Sequence, residues 1–146
     1  MKKYLFILLI TPLFFISCSD DDDDGDPITN VSSCNNMSIT AGKYKETDDL
    51  NTKIKNDLGN SYSIADWNDL KNISDLDSWI NCMNLNHDDQ FMVTRNGNYI
   101  HSGSRQYYVH YSTDGLPYSG FAVHDKIGNF YLGSWYGLTM NVLAKK

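Results

Sequence analysis

Histidine, tyrosine and tryptophan carry most of the chemistry this sequence could do. Its four histidines are His87, His101, His110 and His124. None stands in an H-x-H or H-E-x-x-H spacing, so no motif supports a zinc centre. The stretch Gly133-Ser134-Trp135-Tyr136-Gly137 is not a nucleophile elbow, because Ser134 stands one place too early and no strand-to-helix turn follows. Asp88-Asp89 and Asp125 are carboxylates of the kind used in sugar hydrolysis, but all three fall at predicted turns. No glycine-rich phosphate cradle appears. These residues imply no catalytic constellation, no metal site and no cofactor.

Binding chemistry is better represented. Tyr99, Tyr107, Tyr108, Tyr111, Tyr118, Phe121, Phe130, Tyr131, Trp135 and Tyr136 crowd the second half of the chain. In a strand, alternation puts Tyr107, Val109 and Tyr111 on one face and Tyr108 and His110 on the other. Pairing the next strand so that Ser112 meets Gly120 sets His110 opposite Ala122 and Tyr108 opposite His124. Tyr108, His110, His124, Tyr131 and Trp135 then form one candidate ligand-binding face. Rigid amphipathic rings of this kind suit a sugar or a protein partner. The alternative is that a helix covers this face and makes it a second core layer. A competing reading is a small hydrolase or an enzyme inhibitor built on Arg105, His110 and His124.

These residues must be positioned by elements that the hydrophobic pattern marks out. Leu50, Ile54 and Leu58 recur every four residues behind the acids Asp48 and Asp49, and Gly59 offers a stop. Ser63 with Asp66 reads as the cap of a second helix, Tyr62 stapling against Trp67. Ser74 reads as the cap of a third, in which Leu76, Trp79, Ile80 and Met83 share one face. After Asn86 the period changes to that of strands. Asn96-Gly97 is a strong hairpin signal between residues 90–95 and 98–102, because both central residues must take positive φ. A turn at residues 114–117 links strands at 106–112 and 119–124. Residues 126–129 turn the chain into 130–135, and 138–144 closes it. The fold class implied is α+β, with two or three short N-terminal helices packed on a mainly antiparallel sheet of about six strands.

The N-terminus has separate logic. Lys2 and Lys3 precede an apolar run from Tyr4 to Ile16, interrupted by Thr11 and Pro12 and too short for a permanent membrane helix, and then Ser17-Cys18. Phe15-Ile16-Ser17-Cys18 resembles the lipobox of bacterial lipoproteins, although Leu is usual where Phe15 stands. The resemblance implies cleavage before Cys18 and lipidation of that residue, hence an anchor in the membrane of the cell envelope. The acidic run Asp20 to Asp24 behind it is similar to the export signal of surface-exposed lipoproteins in Bacteroidota, which implies display on the outer membrane; a plain solvated spacer is the other reading. Three segments follow: a signal peptide at 1–17, a lipidated polar tether at 18–38 and one domain at 39–146.

With Cys18 so assigned, Cys34 and Cys82 remain as an even pair in an oxidising compartment, and a disulfide is the natural expectation. A Cys82 nucleophile is the functional alternative. Most of the formal charge of −6 belongs to the tether. The domain keeps ten basic residues against twelve acidic ones, with no basic stripe for phosphates, which disfavours nucleic acid as a partner. The function expected is a lipid-anchored envelope protein whose small domain binds a glycan or an envelope protein without catalysis.

Overall fold

The computed structural model describes residues 34–101, 103, 105–115 and 122–146, with only the backbone of 122–124. The expected signal peptide, Cys18 and the acidic run lie outside these residues, as do the second half of the expected 114–117 turn and Gly120 of the expected Ser112–Gly120 pairing.

The chain forms β1 (Met37–Ile39), α1 (Leu50–Leu58), β2 (Ser63–Ile64), α2 (Trp67–Lys71), α3 (Leu76–Met83), β3 (Gln90–Met92), β4 (Ile100–His101), β5 (Arg105–Tyr111), β6 (Ala122–Ile127), β7 (Phe130–Tyr136) and β8 (Asn141–Lys145). The strands make one eight-stranded sheet in the order β1-β8-β3-β5-β7-β6, with β2 on β8 and β4 on β5. β3 and β8 run parallel, whereas the other pairs are antiparallel. This corrects the expected α+β arrangement of helices packed on a six-stranded sheet. The sheet is larger and mixed, and its helices are short, nine, five and eight residues long. Two strands from the N-terminal half, β1 and β2, pair with the C-terminal β8. Local periodicity carries no trace of a pairing that spans the whole domain.

Each helix starts at an aspartate whose carboxylate accepts backbone N–H groups that the first turn leaves unpaired. Asp49 accepts from Thr52, Asp66 from Asn68 and Asp75 from Ser78. Asp66 also forms a capping box with Asp69. The expected Ser63 cap is therefore displaced by three residues. Ser63 and Ile64 instead join the sheet opposite Lys145 and Ala144. Asp66 gains further bonds from the Thr94 hydroxyl at 2.8 Å and the Gly97 N–H at 3.1 Å. Partial burial alone would raise its carboxyl, but these donors outweigh it and hold the group below its ordinary value.

Both faces of the sheet are covered. On one, Phe91, Val93, Tyr107, Val109, Tyr111, Phe130, Leu132 and Leu143 meet Trp67, Leu70 and Trp79 of α2 and α3. On the other, Met92, Tyr108, Val142 and Ala144 meet Leu50 and Ile54 of α1 together with Tyr62 and Met140. A disulfide joins Cys34 to Cys82, with 6.0 Å between the Cα atoms, and Cys34 and Met37 are buried with the first cluster. The folded part thus includes residues 34–38.

Asp125 on β6 holds α2 against the sheet. Its carboxylate accepts from the Trp67 indole at 2.9 Å and pairs with Lys71, whose ammonium also sits 5.7 Å from the Trp67 ring centroid. Lys71, followed by the Trp67 bond, pulls the Asp125 carboxyl down to about 2. A carboxyl depressed by folding contributes stability that is present above its unfolded pKa and is lost as pH falls through the folded value. Because the pair is partly solvated, the contribution is about 1 kcal/mol. Urea midpoints of wild type and Asp125→Asn should differ by that amount at pH 5 and converge near pH 2; a constant difference across this range would refute the assignment.

Candidate functional site

The five residues expected to share a binding face are placed in three different environments. Tyr108 is fully buried. Its ring lies across Gly133, its cross-strand partner, so that a Cβ added there would stand 2.7 Å from the phenol oxygen. Burial pushes its hydroxyl well above the ordinary tyrosine value. His110 and Tyr131, opposite each other on β5 and β7, are also buried, and the Tyr131 hydroxyl donates to the Gly115 carbonyl. Of the four whose side chains are described, only Trp135 reaches solvent, at 37% exposure. His124 stands at a bulge in β6 between Val123 and Asp125, and its side chain lies outside the described residues.

The register keeps Tyr108, His110, Tyr131 and Trp135 on one face, but the pairing expected to build it does not occur and its middle is covered, as the second-core-layer alternative holds. First, β5 does not pair with β6, because β7 lies between them. The tight Gly128-Asn129 turn makes β6 and β7 a hairpin, and β7 then runs beside β5 over seven residue pairs. Second, α1 covers the middle of this face and makes Tyr108 a core residue. Arg105 and His110 stand at opposite ends of the same strand, about 17 Å apart at ~3.4 Å per residue, so they cannot act on one reacting bond.

His110 has a partner that spacing does not reveal. Its Nε2 lies 3.1 Å from Asp88 Oδ1, and His87 Nε2 approaches the same oxygen at 3.3 Å. The Thr113 N–H donates to His87 Nδ1 at 3.1 Å, so the neutral His87 ring carries its hydrogen on Nε2 and donates it to Asp88. Asp88 has φ 73°, a left-handed conformation that few non-glycine residues adopt. Its N–H bonds to the Tyr111 carbonyl at 3.0 Å. The cluster fastens the α3–β3 connection to the end of β5. The register of Gln90 against His110 creates it, and no motif could have announced it. A tautomer with Nε2–H has no lone pair there for a metal, and no group of three His, Cys, Asp or Glu side chains able to hold one occurs among the described residues. Beside the cluster is a cleft of about 270 Å³ between Lys43, Asp88 to Gln90 and residues 138–141.

The exposed aromatic surface lies at the other end of β5. Among the described residues the exposed large apolar side chains are Ile100, at 44%, Trp135, and Tyr136, at 53%. The register assembles them into two cross-strand rows. Ile100, Gln106 and Trp135 stand on one face of β4, β5 and β7, and His101, Arg105 and Tyr136 on the other. The Arg105 guanidinium lies 4.7 Å from the centroid of the Tyr136 ring. Buried Gln106 donates from Nε2 to the Leu138 carbonyl at 2.8 Å, and its Oε1 has no hydrogen-bond partner among the described residues. Ile100 and Tyr136 were not singled out by alternation. Strand-end position is the signal that marks them, since Ile100 closes β4's pairing with β5 and Tyr136 ends β7. No protein-family model matches the chain, and comparison with curated proteins and with solved structures finds none similar to it.

Proposed function

We propose that the protein is a lipid-anchored component of the cell envelope whose folded domain binds a glycan, without catalysis, through the rim formed by Ile100, Arg105, Trp135 and Tyr136. The observation that carries this reading is the gathering of all the exposed large apolar side chains among the described residues at one end of one sheet. A patch of this kind on an otherwise covered sheet is a binding surface more often than a packing defect. Trp and Tyr offer flat apolar area for the C–H faces of a sugar while keeping a polar edge in water.

The test is a glycan binding screen on the full chain in detergent, with Trp135→Ala beside it. Saturable binding that falls at least tenfold in the variant is expected; binding unaffected by the substitution would remove the rim from the argument. Enrichment of a protein in place of any glycan signal would turn the reading toward an envelope protein partner. The anchor is tested separately. Cys18→Ala should abolish acyl labelling and leave unprocessed precursor, and normal labelling would refute the lipobox assignment.

The hydrolase alternative rests on a different observation, the two imidazoles on one Asp88 oxygen beside a cleft. Turnover of a glycan that is lost in His87→Ala would favour it over binding.

A further inference from the structure

We propose that the glycan bound at this rim is an acidic one, its carboxylate engaged by Arg105. This rests on the binding reading above and names the ligand class. The domain is mildly acidic, with twelve carboxylate side chains against ten basic ones after the tether. Several of its lysines already have partners: Lys71 pairs with Asp125 and Lys145 with Asp69. Arg105 has none. Among the described residues it makes no ion pair and no hydrogen bond, and its only partner is the Tyr136 ring beneath it. A guanidinium stacked on a ring is held in place by a contact that leaves its N–H edge unused. That edge matches a carboxylate in bidentate fashion.

The surroundings select a sugar over other carboxylates. Tyr136, on the same row, supplies flat apolar area against the guanidinium, while Trp135 and Ile100 extend the apolar surface of the same rim on the opposite face of the strands. Neighbouring strands are roughly 5 Å apart, the scale of one pyranose ring, so successive residues of a row can meet successive sugars. A single arginine with apolar neighbours is a poor match to a phosphate chain, which needs several cations.

The experiment is calorimetry on the full chain in detergent. The probes are an oligogalacturonate and a sialylated lactose, each beside its carboxyl-reduced neutral counterpart. The expected result is saturable binding of at least one acidic probe, at least tenfold weaker for its neutral counterpart. Arg105→Gln should weaken the acidic probe at least tenfold and its neutral counterpart far less, with an unaltered far-ultraviolet circular dichroism spectrum. Trp135→Ala should weaken both. If acidic and neutral probes bind alike and Arg105→Gln is silent while Trp135→Ala weakens binding, the acidic class is overturned and the rim reading stands. Binding that ignores both substitutions overturns the rim itself. No binding of either acidic probe overturns the proposal.

Discussion

Tyr108→Ala lowers the stability of the domain by about 3–5 kcal/mol, the range for truncating a large buried aromatic. The ring is fully buried and lies on Gly133, whose missing side chain makes room for it. Met92 and Val142 beside it in the sheet, and Leu50 and Ile54 from α1, complete the packing. Truncation therefore opens a cavity between α1 and the sheet that backbone relaxation cannot close. The reciprocal change, Gly133→Ala, should cost about 1–3 kcal/mol, because the new methyl occupies the space of the ring. Both are read as falls in the urea midpoint at constant slope. The double variant Tyr108→Ala with Gly133→Ala should be less destabilised than the sum of the two, since the methyl then fills part of the cavity. Strict additivity would show that the two residues do not share the space. A loss of ligand binding in Tyr108→Ala would thus report unfolding of the site's support, so the rim must be tested at Trp135 and Arg105.

Removing the disulfide is the second large effect. The bridge joins residues 48 positions apart, and the chain-entropy model assigns about 4 kcal/mol to a loop of that length, with measured values running from about 2 to 5 kcal/mol. That is a large share of the 5–15 kcal/mol that holds a domain of this size together. The bridge ties the start of the folded chain to α3, next to Trp79, whose indole donates to the Cys34 carbonyl at 3.3 Å. β1 follows directly as a three-residue edge strand, so amide protection at Met37 to Ile39 should fall first when the bridge is lost. Cys34→Ser with Cys82→Ser, and wild type in dithiothreitol, should show the same drop in denaturation midpoint. An unchanged midpoint in both would mean that β1 is held by its pairing with β8 alone.

Local chemistry decided what could be read directly from the residues. The spacing of Leu76, Trp79, Ile80 and Met83 reads as one apolar helix face, and these residues line the core side of α3. Asn96-Gly97 reads as a tight turn because positive φ is cheap there, and both residues adopt it, at 52° and 78°. Even so, the hairpin around that turn is a single bridge between Arg95 and Asn98. β3 and β4 then part to pair separately with β5. Alternation along β5 separates Tyr107, Val109 and Tyr111 from Tyr108 and His110, and the two sets enter different core clusters or faces.

What only the tertiary structure decided is which strand lies beside which and what covers each face. A period of two states which side chains share a face, but it contains nothing about the neighbour across the ladder. The neighbour is chosen by burial summed over the whole sheet. Here that choice put β7 between β5 and β6, brought Asp88 to His110 across twenty-two residues, and laid α1 over Tyr108. The same choice left Trp135 and Tyr136 exposed and Arg105 partly exposed at the rim of β5 and β7, while the aromatics in the middle of the strands became core. Aromatic composition could announce that some rings stay exposed, but which ones depended on where the helices stop covering the sheet.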